Sequence, residues 1–212
     1  PRYAIATVTA VGKDLALTLR EKLGKEIPIY TTPRLADDRV IAIEGRVVEA
    51  LGQLFQEVDV LICIMAIGAV VRAIAPVLKD KASDPAVVVM DEKATNVISL
   101  LSGHLGGANQ VTRDIAELLG SNPVITTATD VQNVTALDNL AQSVNGWRPE
   151  LREFIKPFNS YLGSGRKVYF YQEKDWVTDL RGLTLVDEEE LAAVLKGTEP
   201  LILLTAEKKD IQ

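Results

Sequence analysis

Cysteine and histidine each occur once in this 212-residue chain, as Cys63 and His104. A single cysteine excludes an intrachain disulfide. Its setting, Ile62-Cys63-Ile64, reads as buried strand, and a reducing compartment, the cytoplasm, is expected. A single histidine leaves a tightly bound metal short of protein ligands, so no metal of the protein's own is expected. Basic residues are in deficit, 23 Lys and Arg against 29 Asp and Glu, for a net charge of −6. That balance argues against a nucleic-acid partner, which calls for a basic patch or stripe. No apolar run approaches the roughly 20 residues of a membrane span. The start, Pro1-Arg2-Tyr3-Ala4, shows no secretory signal. The Walker loop, the dinucleotide Gly-x-Gly-x-x-Gly and the Gly-x-Ser-x-Gly elbow are all missing.

What is present is an alternation of strand and helix patterns. Tyr3–Val8, Ile27–Tyr30, Val58–Met65, Ala86–Met90 and Pro123–Thr127 read as strands. Between them, Val11–Leu23, Val47–Phe55 (with Val48, Leu51 and Phe55 on one stripe), Gly68–Ile74 and Ala108–Leu119 read as helices. Val97–Leu101 fits either an extension of the pairing or the start of a turn. This order implies βαβ units and the α/β class: a parallel sheet with helices on both faces over residues 1–130. Residues 131–212 read as a smaller α/β unit, with helices at Leu137–Val144, Pro149–Leu162 and Asp187–Leu195. Its short strands fall at Lys167–Tyr171, Leu183–Leu185 and Leu201–Leu204. The last strand lies so near the end that a longer parent is expected.

Parallel sheets bind ligands beyond the carboxyl ends of their strands. Four segments are expected there: Ala66–Arg72, Asp91-Glu92 with Asn96, Ser102–Asn109, and Thr126–Asp130 with Thr127. His104 is the one side chain whose ordinary pKa lies near neutrality. It sits in Ser102-Gly103-His104-Leu105-Gly106-Gly107-Ala108-Asn109. It reads as a general acid or base or a cofactor ligand, against the plainer alternative of a structural histidine. Gly106-Gly107 precedes a helix, where free N–H groups favour an anion; a tight turn is the alternative. Asp91, directly after its strand, reads as the better acidic group, and Glu92 as a solvated strand end. Arg72 reads equally as a carboxylate partner or a surface charge.

The stretches Cys63–Pro76, Lys79-Asp80-Lys81, Asp84–Val89, Asp91-Glu92 and Leu101–Asn109 closely resemble the CbiG family of cobalamin biosynthesis. The Ser-Gly-His-x-Gly-Gly-Ala-Asn element is the specific part. The resemblance covers the family's amino-terminal domain and, less specifically, its middle region; a carboxy-terminal domain, related to CobE, would be absent. It implies cobalt-precorrin-5A hydrolase activity: a δ-lactone on the macrocycle opens and acetaldehyde leaves, giving cobalt-precorrin-5B. On that resemblance His104 is the expected base or acid. Asp91 holds its tautomer, and Asn109 or backbone N–H groups stabilise the oxyanion. Gly68, Arg72, Ser102, Gly103, Gly106, Gly107 and Thr127 contact substrate. The cobalt arrives with the substrate. Expected partners are cobalt-precorrin-5A, other corrin-pathway enzymes and a second copy in a homodimer, with no membrane. The alternatives are a non-catalytic tetrapyrrole carrier, a corrin methyltransferase and a plain nucleotide-binding α/β domain.

Overall fold

Val60–Ile64 (β4) is apolar at every position because both faces of the strand are buried. Successive side chains point to opposite sides of the sheet. Leu61 and Cys63 enter one core with Ala4, Ala6, Leu51, Phe55 and Val70. Ile62 and Ile64 enter the other, with Ile5, Leu19, Val88, Met90 and Ile115. The computed structural model describes residues 1–80, 83–103, 106–146 and 149–206. They divide into two units, Pro1–Ile125 and Thr126–Gln212. The units meet five residues before the boundary expected from composition.

In the first unit β4 is joined by β1 (Tyr3–Thr7), β2 (Ile29–Thr31), β3 (Ile41–Ala42), β5 (Ala86–Met90), β6 (Asn96–Leu101) and β7 (Asn122–Val124). The sheet order is β3-β2-β1-β4-β5-β6-β7. Helices α1 (Ala10–Leu23) and α4 (Ala108–Leu119) cover one face, and α2 (Val47–Glu57) and α3 (Ile67–Ile74) the other. The expected α/β class, a sheet flanked on both sides by helices, is what the structure shows. Thr9 caps α1, its Oγ1 accepting from Gly12 N at 3.0 Å.

The sheet is not parallel throughout. β6 runs antiparallel to β5, with Met90 opposite Val97 and Val87 opposite Leu101. The connection, Asp91–Thr95, is too short for the crossover of a dozen or more residues that a parallel pair requires. β7 then pairs parallel to β6 and covers only Asn122–Val124, so Thr126 and Thr127 fall outside it. Pro123 is tolerated there because β7 is an edge strand.

The second unit holds α5 (Ala128–Val131), α6 (Leu137–Ser143), α7 (Arg152–Gly163), β8 (Val168–Gln172), β9 (Leu183–Leu185), α8 (Glu188–Val194) and β10 (Leu201–Leu204). Its strands form a parallel three-stranded sheet in the order β10-β8-β9. A capping box starts α8: Asp187 Oδ1 accepts from Glu190 N at 2.8 Å, while Asp187 N donates to Glu190 Oε2 at 3.2 Å.

Cys63 is fully buried in β4, and burial pushes its thiol up to about 12. The thiolate is the nucleophile, so the native protein should resist iodoacetamide at pH 8. Alkylation should track unfolding in urea; rapid alkylation without denaturant would contradict this packing.

Candidate functional site

Beyond the carboxyl ends of β1, β4 and β5 lies a cleft of about 510 Å³. It sits at the topological switch point, where the chain, having run outward from β1 through β2 to β3, returns to the other side of β1 as β4. Ile64, Met65, Ile67, Met90 and Ile98 supply apolar lining, and Thr9, Asp91, Glu92 and Asn96 the polar part. Two helices begin at this cleft. Thr9 caps α1, whereas Ala66 offers α3 no side-chain cap. Ala69 N donates to Ala66 O at 3.0 Å, so the N–H groups of Ile67 and Gly68 are the ones without intrahelical partners.

Asp91 and Glu92 line the cleft side by side but are used differently. Asp91 Oδ1 accepts from Lys93 N at 3.0 Å and Thr95 N at 3.1 Å, and Oδ2 accepts from Asn96 N at 2.7 Å. The carboxylate closes the β5–β6 turn, in which Ala94 adopts a φ of 55°. Partial burial pushes the Asp91 carboxyl up, but the N–H groups of Asn96, Thr95 and Lys93 outweigh it, and its pKa lies below the ordinary value. Glu92 instead reaches across the sheet. Its Oε2 accepts from Thr9 Oγ1 at 2.6 Å, 83 residues away in sequence. Position after the strand favoured Asp91 as the working acid and Glu92 as a solvated strand end, and Glu92 is indeed exposed just after β5. The structure gives Asp91 a turn to hold and places Glu92 at the cleft mouth.

An Asp91→Asn variant tests the turn. Its amide cannot accept at both atoms, and the loss should cost about 1–3 kcal/mol in urea denaturation. The folded carboxyl is depressed, so its contribution is complete above the unfolded pKa of about 4. That contribution drains away as pH falls through the folded value. The gap between wild type and Asp91→Asn should therefore narrow on acidification below pH 4. A gap that does not change with pH would contradict this role.

The Ser102–Asn109 segment lies elsewhere. Ser102 Oγ donates to Asp84 O at 2.9 Å, just ahead of β5. Asn109 Oδ1 accepts from Ser99 Oγ at 2.6 Å. The backbone closes the loop, with Ala108 N donating to Ser102 O and Asn109 N to Gly103 O, at 3.1 and 3.0 Å. Gly107, at φ 82°, begins α4. Because β6 is antiparallel, the described residues of this loop, 102–103 and 106–109, pack at the amino-terminal edge of β5, opposite the cleft. The six residues of β6 separate the two places by roughly 17 Å at 3.4 Å per residue. The expected convergence of Ser102, Gly103, Gly106, Gly107 and Asn109 with Asp91 and Ala66–Arg72 is therefore overturned: a short hairpin reverses β6 and carries these residues to the other edge.

His104 itself, with Leu105 and Lys81, lies outside the described residues. Gly68 sits in the first turn of α3, and Arg72 Nη1 donates back to Gly68 O at 3.2 Å, outside the cleft lining. Thr127 belongs to the second unit, where its Oγ1 donates to Asp130 Oδ2 at 2.8 Å. Sequence reasoning missed Thr9 as a site residue; a threonine before an amphipathic run signals a helix cap, but nothing local signals its bond to Glu92. Among the described residues no cluster of three or more His, Cys, Asp or Glu could hold a metal ion. No helix among them is long and apolar enough to cross a membrane.

The sheet order and the switch-point cleft define a doubly wound α/β domain with an open cleft beyond its strand ends. Residues 49–130 match the family model for the cobalamin synthesis G N-terminal region, and the chain carries a CbiG amino-terminal domain. The match includes Asp91, Glu92 and the Ser102–Asn109 loop, but not Thr9. The chain is 41% identical over 179 residues to a cobalt-precorrin-5A hydrolase of Salmonella typhimurium, covering 81% of this chain and 51% of that protein. It is 38% identical over 182 residues to the cobalt-precorrin-5A hydrolase of Priestia megaterium, covering 82% and 48%. The chain thus spans about half the length of the curated relatives it matches. A crystal structure of a cobalamin biosynthesis protein G homologue from Sulfolobus solfataricus shares the fold. Its TM-score is 0.55 at 21% identity, over 96% of this chain and 59% of that one.

Proposed function

We propose that this chain serves cobalt-precorrin-5A hydrolysis, the activity named for its relatives. The observation that carries the reading is the extent of the likeness, which runs over four-fifths of the chain; the family-model match takes in the loop and the cleft residues from Ile64 to Ile98. The chemistry is water addition to a lactone carbonyl followed by release of acetaldehyde. It requires a base for the water and donors for the developing oxyanion. The cobalt is part of the substrate, and no metal of the protein's own is called for.

Two places in the first unit could host this chemistry. One is the Ser102–Asn109 loop, whose proposed proton-transfer group is His104, with the start of α4 at Gly107 facing a carboxylate. The other is the switch-point cleft. They lie at opposite edges of one sheet, so Asp91 does not share a site with Ser102, Gly103, Gly106 and Asn109. Asp91 and Asn109 of the expected trio therefore do not stand together.

An anaerobic assay with cobalt-precorrin-5A, trapping acetaldehyde, tests the function. The complete gene product should release one acetaldehyde per macrocycle. Binding of the macrocycle without acetaldehyde would replace the hydrolase reading with that of a carrier.

A further inference from the structure

Resting on the hydrolase reading, we propose that the switch-point cleft seats the lactone-bearing edge of the corrinoid and that Glu92 is the base that activates the hydrolytic water. Four observations lead there. The cleft, at about 510 Å³, has the size of a small-molecule site and an apolar floor. That floor suits the ring edge of a macrocycle whose charged arms stay in solvent. Ile67, 41% exposed on its lip, is a large apolar side chain that a bound ring would cover.

Glu92 is held at the mouth by a directional device. The Thr9 hydroxyl accepts from Gly12 N at 3.0 Å, so its single proton is left for Glu92 Oε2, at 2.6 Å. The second oxygen, Oε1, makes no hydrogen bond to any described residue and can accept from water. Thr9 is thus a positioning residue, and its bond fixes a side chain that would otherwise be free to rotate. Asp91 cannot take this role, because three backbone N–H groups already use both of its oxygens.

The first N–H groups of α3, uncapped by Ala66, lie at the same cleft and can receive the oxyanion. The step balances without any redox partner. Water adds to the lactone carbonyl carbon and its proton passes to Glu92. The carbon–oxygen bond to the ring alcohol breaks, and protonated Glu92 returns the proton to that oxygen. One water is consumed, and one carboxyl and one alcohol are formed.

The test uses the complete gene product, wild type beside Glu92→Gln, His104→Ala and Ala66→Trp. Two readouts are taken: single-turnover acetaldehyde release from cobalt-precorrin-5A, and binding of cobyrinic acid followed by its visible absorbance. Glu92→Gln keeps an acceptor for Thr9 but is not basic. It should release acetaldehyde about 10²–10⁴-fold more slowly and bind cobyrinic acid as wild type does. Ala66 is an exposed cleft residue, so a tryptophan there should fill the cleft and weaken cobyrinic acid binding at least about tenfold. Ile67→Glu repeats the test should Ala66→Trp fail to fold.

If Glu92→Gln turns over within about threefold of wild type while His104→Ala is inactive, the base lies on the loop and the inference falls while the hydrolase reading stands. Undiminished binding in both cleft variants, or no binding by wild type, also overturns it. Absence of acetaldehyde from wild type, with binding abolished in the cleft variants, would end the hydrolase reading and Glu92's role but keep the corrinoid seat.

Discussion

A Gly106→Ala variant is expected to be less stable than wild type by about 1–3 kcal/mol, and its neighbour Gly107→Ala to lose less. A Cβ on Gly106 would lie 2.5 Å from Ser102 Cβ, 2.9 Å from Ser102 O and 3.2 Å from Ala86 N. Two of these three atoms are backbone, and none is the end of a flexible side chain. Ser102 cannot retreat, because it is buried, tied to Asp84 O, and already at a φ of 55°. The new methyl must therefore push the loop off the start of β5. Gly107 has open space around its missing Cβ, and only its φ of 82° resists substitution. That left-handed conformation costs an L-residue about 1–2 kcal/mol. Urea denaturation of the two variants gives the comparison. A Gly106→Ala midpoint equal to wild type would contradict the packing of the loop against Ala86.

The central strands and the helices between them were legible because burial on both faces leaves unbroken apolar runs, as in Val60–Ile64 and Ala86–Met90. Helix faces were legible only in part. Leu51 and Phe55 of the expected stripe are core residues, but Val48 is 39% exposed and Leu54, off that stripe, is buried. The reversal at β6 was hidden because Val97–Leu101 is mostly apolar, and no Asn-Gly or Asp-Gly pair marks a hairpin. The one available sign was the five-residue spacing from Met90 to Asn96. Missing it placed the Ser102–Asn109 loop at the wrong edge of the sheet. The exposed strand-end position of Glu92 was legible, but the bonds that the two carboxylates make were not. Adjacent carboxylates look alike in a sequence, and what separates them is a backbone turn for one and a bond to Thr9, 83 residues distant, for the other.

Phe55→Ala is expected to destabilise the first unit by about 3–5 kcal/mol, a large share of the roughly 5–15 kcal/mol typical of a domain. Phe55 is 2% exposed and is among the largest fully buried side chains. Its cluster joins α2 and α3 to the β4 side chains Leu61 and Cys63. The cavity left behind would sit beneath helices that pack on each other, so collapse to fill it would require moving α3, whose first turn borders the cleft. Phe154 on α7 is the matched control: at 46% exposed, its replacement by alanine should change stability by about 0.5 kcal/mol or less. Chemical denaturation of both variants, followed through Cys63 alkylation as a reporter of the same core, separates them. Cys63 in Phe55→Ala should become reactive at markedly lower urea than in wild type, whereas Phe154→Ala should leave that onset unchanged. Equal onsets in all three proteins would mean that Phe55 does not hold the α2–α3 face of the sheet.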